Sequence, residues 1–316
     1  MLHAAVPHKQ SMGAVDTPRV HPLTASLAAV DRAVKLLSFR VIGDSRPPAD
    51  PQVLPDPRMA DWIECDQALS DPAFFARWRA KVARWLAEQH AVPTPAAVPE
   101  KTTGGYVLQW YLIVPSYLGA LLFHSARRVP TLAPRQLLFR LGSAALREVA
   151  LRPGRFWCLP GDPDAGHPDA VPVPDEAALA TVLRDQVIAH ASRFLFVYGS
   201  QVRFGRRTQW ATVTDVLDSG LLLAGRAFGS PQAGASDARL VLGSSQPPAQ
   251  NVPYKPLTSA STICQLTDDR GRTHWTRRRG SCCFLYALPG IERPCASCPR
   301  VCEADRTRIF STLDSA

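Results

Sequence analysis

No G-x-G-x-x-G opens a helix after a predicted strand, so the chain lacks the glycine turn that seats a dinucleotide pyrophosphate. The phosphate-cradling G-x-x-x-x-G-K-S/T run is also absent, which removes the nucleotide-hydrolase reading. There is no internal repeat. Residues 1–20 contain His3, His8 and Asp16 and have no continuous apolar stretch, unlike a secretory signal. They read as a disordered leader. Only residues 106–123 run for 18 positions without a charge. That reaches the lower edge of membrane-spanning length, but Gln109, Ser116 and Pro115 interrupt it, so a buried, kinked central helix is expected rather than stable membrane insertion.

What is present is ordinary globular material. The 316 residues are 46% hydrophobic and 20% charged, enough for one large domain or two small ones. The net charge of +9 favours acidic partners in general: an anionic substrate, an acidic electron carrier, nucleic acid or an anionic membrane surface.

Apolar periodicity predicts an amphipathic helix over 24–39 and another from Ser70-Asp71-Pro72 to near His90. The central apolar helix follows, with Arg127 and Arg128 suited to its C-terminus. Short strands of a meander are expected at 136–141, 145–151 and 155–159, with helix the alternative for 136–150. A long helix opens at Asp175-Glu176. A further helical region, capped by Ser200, includes Trp210, Val213, Val216, Leu217 and Leu221. Residues 228–260, rich in Gly, Ser, Pro, Ala and Gln, read as a flexible connection. A hairpin is expected over 262–279, turning at Asp269-Arg270-Gly271.

The expected fold class is therefore α+β. It is predominantly helical, with a small central antiparallel sheet and a C-terminal Cys-rich segment. The divisions are a leader (1–20), an N-terminal helical region (21–104), a body of helices and short strands (105–227), the connection (228–260) and the C-terminal segment (261–316).

Five of the eight cysteines fall within residues 282–302. Such a local cluster in a large chain points to metal rather than to a disulfide framework, and to a reducing compartment. Four of them, Cys282, Cys283, Cys295 and Cys298, are spaced C-C-x11-C-x2-C. Four thiolates suit a structural zinc or an iron–sulfur cluster. Adjacent side chains on extended backbone point to opposite faces, so an adjacent Cys pair converges on one small ion only if the chain bends. A dinuclear cluster is wider and relaxes that demand. Cys302 reads as a spare thiol, Cys65, Cys158 and Cys264 as ordinary core or surface residues. The full Cys set makes ligation by His274 unnecessary.

The run RRRGSCCFLYALPGIERPCASCPRV resembles the C-terminal signature of the FhuF-like ferric siderophore reductases: basic residues, an adjacent Cys pair, an aromatic, a Pro-Gly loop, then C-x2-C-P. A weaker resemblance in element order extends over 105–225. The loop is one residue longer than the usual spacing, and the 228–260 connection is long for the family.

The resemblance implies a [2Fe-2S] cluster held by Cys282, Cys283, Cys295 and Cys298. It implies one-electron reduction of siderophore-bound ferric iron, of hydroxamate type, in the cytoplasm or at the inner membrane face. Without a dinucleotide domain the electron must come from an external donor such as a ferredoxin or a reductase. Arg277, Arg278, Arg279, Arg206 and Arg207 are candidates for docking substrate or donor, with solvated charge the plain alternative. Two other functions remain open at this stage: a zinc-bearing, basic nucleic-acid-binding module, which lacks a recognisable motif, and a siderophore-binding protein without reductase activity.

Overall fold

A computed structural model describes residues 20–42, 61–243, 259–268, 270–291 and 294–313. The expected leader therefore lies outside the described residues but for its last position. Helix α1 (Pro22–Ala33) is capped by His21, whose Nδ1 accepts the Leu23 N–H, and carries a proline in its first turn. It is shorter than the periodicity predicts. Val34 is already extended, and Ser38–Val41 form strand β1 instead. Strand β2 (Ile63–Glu64) and the short helix α2 (Cys65–Ser70) lead to α3 (Phe74–Gln89), which ends at His90 as expected.

Helix α4 (Glu100–Ala126) is the axis of the molecule and packs against α1, α3 and helices further along the chain. It begins at Glu100, six residues ahead of the apolar run at 106–123, and runs through Pro115. It is long and apolar enough to cross a membrane, but 78% of its most apolar stretch is buried inside the protein, so its hydrophobicity is used in the core.

Among the described residues three small sheets accompany the helices. Strands β3 (Arg128–Pro130), β4 (Leu137–Leu141), β5 (Leu146–Leu151), β6 (Phe156–Cys158) and β7 (Ala170–Pro172) follow α4. The first sheet has the order β1-β5-β4-β2 and the second β3-β6-β7. Both are mixed rather than antiparallel, because β1 joins β5 in parallel and β6 joins β7 in parallel. The expected meander is thus split. β4 and β5 pair as a hairpin, whereas β6 leaves for β3 after the Pro153-Gly154 break. Arg128 opens β3 and is buried, not placed at a helix end. Its guanidinium donates to Asp162 (2.6 and 2.7 Å), Asp164 (2.6 Å) and the Pro22 carbonyl (3.0 Å).

Helix α5 (Glu176–Tyr198) is capped by Asp175, which accepts the Ala178 N–H at 2.8 Å. Helix α6 (Arg206–Ala227) is capped by Gly205; Ser200 sits in a 3-10 turn before it. The expected connection from 228 is helical over α7 (Pro231–Gly243). Its small residues are a packing face rather than a linker. A Cβ on Gly234 would stand 2.4 Å from the Leu221 carbonyl, so α7 lies directly on α6. Asp237 then accepts both terminal nitrogens of Arg127 (3.0 Å each) and pairs with His124 at 2.6 Å, fastening α7 to the end of α4. Residues 244–258 lie outside the described set.

The chain closes with the hairpin β8 (Ile263–Thr267) and β9 (Thr273–Arg277), the Cys-rich segment, and α8 (Glu303–Leu313). One hydrophobic cluster runs from Leu23 through α4, α5 and α6 to Leu288, so the Cys-rich segment is seated on the main core. Trp78, Trp210, Phe194 and Tyr198 are among its fully buried members, each worth about 1.5–3 kcal/mol of transfer free energy.

Candidate metal centre

Two aspartates on one face of α6 hold the C-terminal segment in place. Asp215 and Asp218 are three residues apart and therefore neighbours on the helix surface. Asp218 accepts the Thr262 N–H (2.7 Å) and hydroxyl (2.9 Å) at the start of the hairpin. Asp215 accepts the N–H groups of Gly280 and Ser281 (2.8 Å each) and the Ser281 hydroxyl (2.5 Å) at its end. The Arg279 Nε stands 3.7 Å from the same carboxylate, and Arg277 donates to the Asp215 carbonyl. Asp215 is buried, so these charge-assisted bonds are not screened by water. They deliver Cys282 and Cys283 against the first turns of α4.

There the fit is close. A Cβ on Gly105 would meet the Cys283 carbonyl oxygen at 3.2 Å, and the Thr102 hydroxyl donates to the Phe284 carbonyl at 3.0 Å. Phe284 adopts a left-handed conformation (φ 59°), which bends the chain just after the Cys pair. That bend lets the Phe284 N–H donate to the Cys282 sulfur at 3.3 Å.

The second half of the motif returns through a turn at Gly290 (φ 79°). The Cys298 N–H bonds the Cys295 carbonyl at 2.9 Å, forming a tight knuckle. Arg306 of α8, buried, stabilises it by donating to the carbonyls of Ala296 (2.7 Å), Cys298 (3.1 Å) and Val301 (3.1 Å). The Arg279 N–H donates to the Ser297 carbonyl at 3.1 Å, joining the two halves.

The four sulfurs meet as an open row. Cys283 is near enough to both Cys282 and Cys295, and Cys298 to Cys282, for their thiols to influence one another's ionisation. Among the described residues, no three cysteine sulfurs lie within 4.8 Å of one another. A single tetrahedral ion would gather all four, whereas a row suits a wider, dinuclear group. The thiols also need a cation. The Cys295 thiol is pushed up, first by its hydrogen bond to Cys283, then by burial and by the charge of Cys283. Cys282 is held down by its bonds to Cys283 and the Phe284 N–H. So crowded a set ionises together only when positive metal lies among them. The donor set thus fits a sulfur-ligated cluster.

Residues 279–300 match the family model of the FhuF 2Fe-2S C-terminal domain. This segment is similar to a FhuF-type [2Fe-2S] domain. None of the curated proteins matches the chain significantly. The matched stretch spans all four cysteines of the row and excludes Cys302, whose exposed thiol donates to Asp305 at 3.1 Å. Cys65 and Cys158 are buried in the core, and Cys264 lies half-buried in β8.

The arginines before the FhuF-type motif take structural places. Arg279 is buried against Asp215 and cannot dock a partner directly. Arg277 is half-buried and holds the Asp215 carbonyl, and Arg278 is exposed but ion-paired with Glu303 at 2.9 Å. Arg206 and Arg207 are exposed in the first turn of α6, a different element. Tyr106, whose phenol is pushed up to about 12 by burial and then by the charges of Cys283 and Cys295, faces the row from α4.

Residues that sequence reasoning missed are Asp215, Asp218, Arg306, Gly105 and Thr102. A signal existed for the two aspartates, since they are acids inside the apolar pattern of α6. None marks Arg306.

Among the described residues one further group has metal-like composition: His21, His167 and Asp169. Both rings accept a backbone N–H at Nδ1, from Leu23 (3.2 Å) and Asp169 (3.1 Å). That acceptance places the neutral ring's proton on Nε2, the atom that would have to ligate, so this group is a hydrogen-bonded corner.

Proposed function

We propose that the chain is a siderophore-iron reductase that passes one electron at a time to chelated ferric iron, releasing it as ferrous iron. The observation that carries this reading is the row of Cys282, Cys283, Cys295 and Cys298 within a FhuF-type [2Fe-2S] domain. These four would hold the cluster, which when bound supplies one-electron chemistry at a tunable potential. Ferric iron is hard and tightly held by hydroxamate oxygens, and ferrous iron is held far more weakly, so one electron suffices to free it.

The protein's own residues supply position and environment. Asp215 and Arg306 fix the two halves of the loop. Leu288 is buried and Phe284 half-buried in the same loop, while Cys295 reaches the surface. Partial exposure shortens the path to an external reaction partner, and the buried Arg279 favours the more negative reduced state. We place the electron donor outside the chain, as a ferredoxin or a reductase, and the protein in the cytoplasm or peripheral to the inner membrane face. Hydroxamate chelates are the substrate class favoured by the resemblance.

Anaerobic purification followed by iron, sulfide and zinc analysis tests the reading. About two iron and two sulfide per chain are expected, lost in Cys283→Ser. The prereduced protein should then reduce a ferric hydroxamate with a ferrous trap present. Stoichiometric zinc without sulfide, even after reconstitution, overturns it.

A further inference from the structure

A cavity of about 640 Å³ lies beside the cysteine row, between α3, the start of α4 and the stretch joining α5 to α6. Its volume falls in the range of small-molecule sites. Its charged lining is Arg79, Lys101 and Arg203 against a single acid, Glu100. The positive end of α4 adds to that potential, for its N-cap, Pro99, makes no side-chain cap.

An aromatic wall separates the cavity from the cysteines. Phe204 lines the cavity and stacks on Phe284 with centroids 5.3 Å apart and planes 7° from parallel. Phe284 directly follows Cys283. The Lys101 ammonium, also lining the cavity, lies 5.9 Å from the Phe284 ring and 6.0 Å from that of Tyr286. One cation and one ring pair therefore bridge the cavity and the cysteine row.

A second, smaller cavity of about 350 Å³ borders Ala296 and Ser297 of the knuckle. Its two arginines are engaged, Arg226 with the Trp275 carbonyl and Arg277 with that of Asp215. The larger cavity has the room and the exposed Arg203.

We propose that this larger cavity docks the ferric chelate and selects chelates of net negative charge, such as hydroxamates carrying free carboxylates. The proposal rests on the reductase reading for the identity of its ligand, but its test does not depend on electron transfer. Arg203 and Lys101 attract the carboxylates, and the Phe204–Phe284 pair receives the apolar flank of the chelate on the side of Cys283. Cationic hydroxamate chelates are repelled by the same side chains.

Gallium(III) mimics ferric iron but is not reduced, so it isolates binding. The oxidised, cluster-loaded protein is titrated calorimetrically with gallium complexes of a citrate-based dihydroxamate and of a cationic linear trihydroxamate. The anionic complex is expected to bind at least about tenfold more tightly. Arg203→Gln and Lys101→Gln each weaken it about tenfold, the effect of one charge-assisted contact, while the visible spectrum of the cluster stays that of the parent. Arg203 is exposed, so its replacement leaves the fold intact and keeps the test valid even if Lys101→Gln disturbs the cysteine loop.

Equal affinity for the two complexes, or unchanged affinity in Arg203→Gln, overturns the proposal. Selective gallium binding without reduction of the matching iron complex sinks the reductase reading and leaves the anion site standing. Full reduction rates in Arg203→Gln and Lys101→Gln, with no charge selectivity, do the reverse.

Discussion

Replacing Asp215 with asparagine removes one charge and leaves the side chain's shape almost unchanged. In the parent, one carboxylate oxygen accepts the Gly280 N–H, while the other accepts both the Ser281 N–H and its hydroxyl. Asparagine keeps one acceptor and turns an amide toward the remaining donors. Bonds to a charged acceptor are worth about 1.5–3 kcal/mol each, and the buried Arg279 also loses its counter-charge. The local opening free energy of the cysteine loop should fall by about 3–5 kcal/mol. At 1.4 kcal/mol per tenfold, that raises the open population by at least roughly a hundredfold.

The assay is anaerobic bleaching of the cluster by excess iron chelator, with thermal unfolding alongside. Bleaching should accelerate by about that factor, while the α4–α6 body still unfolds cooperatively. Asp218→Asn is the internal comparison. Only one of its oxygens accepts from Thr262, the other has no hydrogen-bond partner among the described residues, and burial holds its carboxyl above the usual range. Asparagine preserves that acceptor, so the change should cost under about 1 kcal/mol and bleaching should rise less than about fivefold. Parent-like bleaching in Asp215→Asn, or equal acceleration in the two variants, refutes the anchoring argument.

Other outcomes follow from the same structure. Arg306→Met leaves the carbonyls of Ala296, Cys298 and Val301 without their donor; iron content on purification should drop at least about twofold, and full occupancy with parent-like bleaching would count against a role in shaping the knuckle. Gly105→Ala gains about 1 kcal/mol of helix propensity but sets a methyl 3.2 Å from the Cys283 carbonyl. Its thermal midpoint should hold or rise while the visible and electron-paramagnetic spectra of the cluster shift; unchanged spectra would show that the contact is slack. His190, buried between the Tyr111 hydroxyl and the Leu132 carbonyl, is lowered to about 4 by burial. Its stabilising contribution is complete above the unfolded value near 6.5 and declines as pH falls toward 4, by about 3 kcal/mol in all. Denaturant titrations across that window should show a shallower decline in His190→Gln; identical slopes would exclude His190 as the titrating group.

Local chemistry made the cysteine motif legible in one dimension. Cys282, Cys283, Cys295 and Cys298 are close in the chain, so spacing alone limits what they can bind, and the match over 279–300 names the same segment. Apolar periodicity likewise sufficed for α3, α5 and the central helix, because a 3.6-residue repeat is a property of consecutive residues. The sequence did not determine what those elements touch. Residues 231–243 look like linker because Gly has no side chain and Ala only a methyl, and only the approach of α7 to α6 turns their smallness into contact. SFRV at 38–41 became a strand because β5 offered it an edge more than a hundred residues away. Arg306 looks like an ordinary surface charge in the sequence, and the acids Asp215 and Asp218 stand out from the apolar pattern of α6 without showing what they hold. They are recognised as the holders of the cysteine loop only when folding buries them, since burial is what makes a charged side chain demand a partner and makes that partnership strong.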